Sequence, residues 1–286
     1  YNVPRFCFVN KLDRIGANFY RTVDMVRDRL EATPLVVQLP VGAGGPESNE
    51  PFIGLVDLVK MKSLLWLDTD EKDLGATYEE ADIPEHMQAD AERYREELME
   101  TIATEDEALM EAYLEGGDIS EDQINAAIRS GTLNHTFVPI LCGSAFKNKG
   151  VQPMLDAVID FLPSPLDVEP AQGIYIKGGE EHATTRGPND DEFAALAFKI
   201  VADPFGKLTY FRVYSGEISK GDEVYNSTKE KRERLGRILL MHANQREDLD
   251  VAMAGDIVAG LGFKEVTTGD TLCDRDHQVI LEKMEF

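Results

Sequence analysis

Asn10-Lys11-Leu12-Asp13 sets an amide, an ammonium and a carboxylate within four residues, directly after the apolar run VPRFCFV at 3–9. Such a set can read the edge of a purine. Guanine presents two N–H donors on one edge, from its ring N1 and its exocyclic amine, and one carboxylate, Asp13, can accept both in a planar pair. The Asn10 amide can donate to acceptors on the other edge and brace neighbouring loops, while the Lys11 stem can lie over the base face. Adenine lacks those donors and would leave the carboxylate unpaired, and a bidentate base contact is worth about 1–3 kcal/mol of discrimination. Gly143-Ser144-Ala145-Phe146 follows a second apolar run, TFVPILC at 136–142. There the N–H of Ala145 suits guanine O6, Ser144 can hold Asp13, and small residues let the backbone approach the base. Each short loop alone also fits an exposed turn. Two of them in this order, each at the carboxyl end of a strand, match where α/β sheets bind ligands.

The elements that must position these loops are legible around them. Strand, polar loop and helix (YRTVDMVRDRLEA) follow one another at the start, which is the βα grammar of a parallel sheet. A second βα unit, TFVPILC then VQPMLDAVIDFL, comes after an interruption of about a hundred residues, which implies one sheet domain with an insert. The interruption opens with strand-like segments, PLVVQLPVG and FIGLVDLVKMKSLLWLD, in which Trp66 reads as a core residue. Acidic helices follow: one over 84–103, a second opened by Thr104 with Glu107 and closed by Gly116-Gly117, a third opened by Ser120 with Gln123 and closed near Gly131. PSPLDVEP marks a domain boundary. From about 191 the texture is short strands with Gly/Asp turns, predicting a small barrel or sandwich.

The net charge of −24 argues against the chain as a whole being a basic nucleic-acid patch. Residues 71–122 hold nineteen Asp and Glu against three Lys and Arg, so two thirds of the excess is concentrated there. That stretch reads as a solvated helical face or as an acidic docking surface for a basic partner. Cys7, Cys142 and Cys273 are too few and scattered for a disulfide framework or zinc site, and imply buried thiols in a reducing, cytoplasmic setting. No apolar run approaches the ~18 residues that span a bilayer. Both ends stop inside a pattern and read as cut boundaries. The basic run Lys229, Lys231, Arg232, Arg234 and Arg237 fits either a solvated strand edge or contact with RNA phosphates.

FVNKLDRIGANFY, VPILCGSAFKNKGVQPMLDAVIDFLPSP, AFKIVADPFGKLTYFRVYSGEISKGDEVYNSTKEKRERLGRILLMHANQRE and GDIVAGLGFKEVTTGDTL together resemble the elongation factor G family of translational GTPases over nearly the whole chain. The resemblance implies a multidomain α/β plus all-β fold. Residues 1–34 and 136–165 would be the C-terminal part of a P-loop-type GTPase domain, 35–135 its acidic α+β insert, and 166–286 the translation-factor β-barrel. It further implies guanine-nucleotide contacts by Asn10, Lys11, Asp13, Ser144, Ala145 and Phe146. It implies GTP/GDP and Mg2+ as ligands of the full-length factor, and a monomer without membrane association. The implied partners are the ribosome, through ribosomal RNA and through its stalk protein docked on the acidic insert, and transfer and messenger RNA indirectly. Release-factor and ribosomal-protection GTPases share the first loop and the barrel but fit DRIGANFY and RVYSG less well. A non-catalytic ribosome-binding module is the rival of another class. One departure is a shortened turn at Asp203-Pro204-Phe205, where Gly206 follows directly.

No G-x-x-x-x-G-K-[ST] loop occurs in the sequence: Gly206-Lys207 is followed by Leu208. The phosphate cradle and the hydroxyl that holds magnesium are therefore missing from this chain. Asp13-Arg14-Ile15-Gly16 matches a D-x-x-G switch loop only formally, and the five histidines (86, 135, 182, 242, 277) read as structural or surface groups. The chain by itself is accordingly expected not to hydrolyse GTP. Phosphate release by the purified chain should equal that of an Asp13→Ala control, and turnover above that control would refute the expectation.

Overall fold

The computed structural model describes residues 3–66, 75–203, 206–242 and 245–281. The shortened turn at Pro204-Phe205, the 71–74 start of the acidic stretch and the terminal 282–286 lie outside the described residues. The chain divides into two compact units, Tyr1–Pro163 and Ser164–Phe286.

In the first unit the elements run β1 (Cys7–Val9), α1 (Phe19–Leu30), β2 (Pro34–Val36), β3 (Gln38–Val41), β4 (Gly54–Asp57), β5 (Lys62–Leu65), β6 (Glu79–Ala81), α2 (Gln88–Ala103), α3 (Glu107–Leu114), α4 (Glu121–Leu133), β7 (Val138–Cys142) and α5 (Val151–Phe161). β7 is the middle of a three-stranded parallel sheet, with β1 on one side and β2 on the other. All five of its residues are buried, which is why VPILC is continuously apolar instead of alternating. Helix α1 starts at Asn18, whose side chain accepts from Arg21 N–H, and it buries Phe19, Val23 and Val26 at the spacing of one helical face. The parallel sheet reaches Val36, beyond the 34/35 division expected from sequence.

β3 to β6 form a four-stranded antiparallel sheet. A single residue, Val37, links the two sheets: its N–H donates to Ile140 O (3.1 Å) and its carbonyl accepts from Leu58 N–H (3.0 Å). The next residue, buried Gln38, accepts the Cys142 N–H through Oε1 at 3.1 Å. One hydrophobic cluster takes in Val9 and Ile140 of the parallel sheet, Leu39 and Leu55 of the antiparallel sheet, Ile102 of α2, Ile128 of α4 and Phe161 of α5. The segment between the two βα units thus shares its core with them. Trp66 is 2% exposed, as a core residue should be.

Two helix boundaries differ from expectation. Helix α3 is capped by Asp106, not Thr104. Asp106 has the extended backbone a cap requires (φ −147°, ψ 123°) and accepts from Leu109 N–H, whereas Thr104 is still helical at the end of α2. Helix α4 does form the Ser120/Gln123 capping box but runs through Gly131 to Leu133. Gly131 is a packing residue: a Cβ there would lie 2.2 Å from Phe137 Cζ.

The second unit is all-β: β8 (Ala171–Lys177), β9 (Glu180–Arg186), β10 (Ala194–Asp203), β11 (Gly206–Ser215), β12 (Glu217–Ser219), β13 (Glu223–Asn226), β14 (Lys231–Arg234), β15 (Arg237–His242), β16 (Gln245–Leu249), β17 (Val251–Met253), β18 (Ile257–Leu261), β19 (Thr271–Cys273) and β20 (Ile280–Leu281). Eight of these make one antiparallel sheet in the order β14-β13-β19-β10-β11-β18-β15-β16, while β12 pairs β17 and β8 lies between β20 and β9. Phe211 and Val213 of β11, Ile218 of β12, Val224 of β13, Ile238 of β15 and Ala252 of β17 converge in one core, so both the eight-stranded sheet and the β12–β17 pair face the same interior. The architecture is α/β with a parallel sheet, then a β-barrel. No helix among the described residues is long and apolar enough to cross a membrane.

Gln38→Leu leaves the buried Cys142 N–H unpaired. The variant should lose about 1–3 kcal/mol of stability in the first unit, read from the urea midpoint, whereas an unchanged midpoint would show that Gln38 has no such capping role.

Candidate functional site

The parallel pairing of β1 with β7 sets Val9 beside Cys142, so the two loops of interest leave adjacent strands at the same end. Backbone bonds tie them together at once: Gly143 N–H donates to Val9 O (3.0 Å) and Leu12 N–H to Gly143 O (3.2 Å). Gly143 fits this crossing because a Cβ would lie 2.4 Å from Lys149 O. Leu12 is 1% exposed and anchors the first loop in the core. Lys11 beside it has φ 64°, a left-handed backbone uncommon outside glycine, and is exposed. The anchor and the turn therefore separate the roles of neighbouring residues: Leu12 goes in, Lys11 goes out.

Side chains complete the connection across a sequence separation of more than 130 residues. The Ser144 hydroxyl, fully buried, donates to Asp13 Oδ1 at 2.7 Å. Asn10 Oδ1 accepts from Ala145 N–H at 2.9 Å and from Lys11 N–H at 2.7 Å. Asp13 is thus held through one oxygen, and among the described residues Oδ2 has only the Arg14 Nε, at 3.9 Å, as a charged neighbour. Its side chain is 16% exposed, enough for a ligand edge to reach. The N–H of Ala145, expected on a base carbonyl, is engaged by Asn10, so a base would have to share or displace that bond. Asn10 keeps its own NH2 donors without a partner among the described residues. Phe146 is 86% exposed, so the second loop carries an aromatic face into solvent next to the site.

Sequence reading passed over Lys149 and the loop at 42–45. Lys149 and Ser144 exchange two backbone bonds, 2.9 and 3.1 Å, that close the second loop into a tight ring. Gly44 N–H donates to Leu12 O at 2.7 Å and braces the first loop from behind. The glycines flanking GSAFKNKG were a signal for the first of these. Nothing local announces the second.

The remaining groups resolve into supports. Burial pushes the Cys142 thiol far above its ordinary range, and raises Cys7 and Cys273 as well, so the cysteines act as small apolar fillers. Four of the five members of the basic run in the second unit meet carboxylates within the chain. Lys229 meets Asp270 (3.1 Å), Lys231 meets Glu265, Arg232 meets Glu223 (3.4 Å), and Arg237 forks onto Asp248 (2.8 and 2.6 Å). Arg234 Nε donates to Gly221 O at 3.3 Å. On α2, Glu92, Glu96 and Glu100 share one exposed face. Arg95 turns away from them to donate to Leu58 O and Val59 O at 2.7 and 3.2 Å, so the acidic face keeps its charge.

A family model described as the elongation factor Tu GTP binding domain matches residues 1–164, and one described as elongation factor Tu domain 2 matches residues 206–273. Among solved structures, the crystal structure of ttk003000868 from Thermus thermophilus superposes with a TM-score of 0.73 at 25% identity, over 96% of this chain and 36% of that one. This chain therefore spans just over a third of the length of that neighbour.

Asn10→Ala removes one of the two side-chain bonds between the loops and leaves that of Ser144 to Asp13. Amide exchange at Ala145 should accelerate, with a stability loss of about 0.5–1.5 kcal/mol. Unchanged exchange would mean that Asn10 does not couple the loops.

Proposed function

Since the chain belongs to the family of the elongation factor Tu GTP binding domain, we propose that it is part of a ribosomal translocation factor of the elongation factor G type and that it carries the guanine-recognition side of the nucleotide site. The whole factor would bind and hydrolyse GTP to move transfer and messenger RNA during polypeptide elongation. The first unit would hold the end of the GTPase domain, with the acidic insert at 35–135, and the second the translation-factor barrel. One observation carries the base-recognition reading: Ser144 Oγ–H takes one lone pair of Asp13 Oδ1 and fixes the carboxylate, leaving the second lone pair of Oδ1 and the whole of Oδ2 to receive a donor pair side by side. A carboxylate preset in this way loses little freedom when guanine N1–H and its amine arrive. Lys11 and Phe146 project beside it as covers for the base faces, and Asn10 and Ala145 meet the opposite edge. The long matches to the translocation family, DRIGANFY and RVYSG above all, favour it over the release and ribosomal-protection types.

The sequence contains no G-x-x-x-x-G-K-[ST] loop, so the groups that would cradle the phosphates and hold magnesium are expected from another part of the factor. Calorimetric titration separates base recognition from its alternatives. GDP should bind weakly and ADP not at all, with Asp13→Ala abolishing the GDP signal. Equal heats for GDP and ADP, or none for both, would remove the claim that the base half is preformed in this chain.

The exposed carboxylates of α2 suit docking to a basic partner, and the proposed partner is the ribosomal stalk protein. Reversing Glu92, Glu96 and Glu100 to Lys should weaken stalk binding by at least an order of magnitude, since like charge replaces attraction at three neighbouring sites. Binding that survives the reversal would place the contact elsewhere.

A further inference from the structure

We propose that Arg186 and Arg212 of the second unit form a binding site for a single oxyanion of phosphate size. Arg186 ends β9 and Arg212 lies within β11, yet both line one small cavity of about 40 Å³, walled by Pro170, Pro188 and Tyr214. The Nε of each arginine is buried and has no hydrogen-bond partner. Buried N–H donors are as a rule paired, so two orphan donors of one kind on residues lining one cavity call for a shared acceptor.

The two side chains are held in place by other means. Arg186 donates from its terminal nitrogens to Thr185 O at 3.0 Å and His277 O at 3.3 Å. The Arg212 guanidinium lies 5.3 Å from the centre of the Tyr214 ring, and among the described residues it has no hydrogen-bond or ion-pair partner. Every member of the basic run, by contrast, has an acceptor within the chain. Neither guanidinium has a carboxylate partner among the described residues, in a chain of net charge −24. Their N–H groups lie in rigid planar forks, the geometry that accepts phosphate-type oxygens. Glu169 also lines the cavity. It is exposed and unpaired among the described residues, and its carboxylate competes with an entering anion for the same donors.

Inorganic phosphate, titrated into the chain against chloride at matched ionic strength, tests the site through the Nε–H resonances of Arg186 and Arg212. Saturable shifts of both are expected. Glu169→Gln should tighten binding about threefold or more by removing the competing charge. Arg212→Lys keeps the charge but lacks Nε–H and should weaken binding about tenfold. Arg186→Lys provides the same test if the Tyr214 stack makes Arg212 variants unstable. O-phosphoserine as a second ligand distinguishes sources, tighter binding marking a phosphate ester and equal binding a free anion. Absence of saturable shifts in both the wild type and Glu169→Gln, or the same shifts with chloride, would overturn the site.

Discussion

The register of β1 against β7 is the constraint on which the geometry of the two loops rests. Val9 opposite Cys142 brings Asp13 and Ser144 within 2.7 Å although more than 130 residues separate them. A parallel pair cannot be closed by a short turn and needs a crossover. Here the crossover is a folded body of its own, with an antiparallel sheet and three helices. Its ends are fastened close to the sheet, by Val37 on one side and the burial of Phe137 on the other. A register slip of one residue would turn the side chains of β7 over and separate the Ser144 hydroxyl from Asp13.

That body is not an appendage in packing terms. Its core residues run without a break into those of the parallel sheet, and Gln38, inside the segment, satisfies a backbone donor of β7. Loosening the segment therefore reaches the loops through β7. The shared core explains why a long interruption of a βα pattern need not cost the sheet its order: each long stretch supplies buried area to the other, offsetting the entropy of closing so long a connection.

Charge is arranged differently in the two units. On α2 Arg95 is turned inward onto backbone carbonyls and Arg93 is held by Asp90 and Glu97, so neither pairs with the exposed Glu92, Glu96 and Glu100 face, and that face keeps a field that a basic partner can feel. In the second unit four of the five cations of the basic run are paired with carboxylates on other elements, and only Arg234 is left on a backbone carbonyl. Exposed pairs of this kind add little stability. Their effect here is local cancellation, while Arg186 and Arg212 stand without a carboxylate partner among the described residues and with an orphan Nε each.

Sequence alone determined the chemistry of the two loops, the alternation of strand and helix around them, the buried strands and the all-β texture after about residue 191, because residue type and periodicity report which face of an element must leave water. It also determined that no phosphate loop occurs in this sequence, since that loop is a contiguous motif. The tertiary structure decided what contiguity cannot encode. Asp106 and not Thr104 caps α3 because the chain becomes extended only there, and Gly131 continues α4 because Phe137 packs against it. The carboxylate partners of the basic run lie elsewhere in the sequence, so its sequence reads as a patch while in the structure four of its five charges are paired. The bond from Ser144 to Asp13 was conceivable from residue types, but its formation depended on strand register, a property of the assembled sheet and of no single segment.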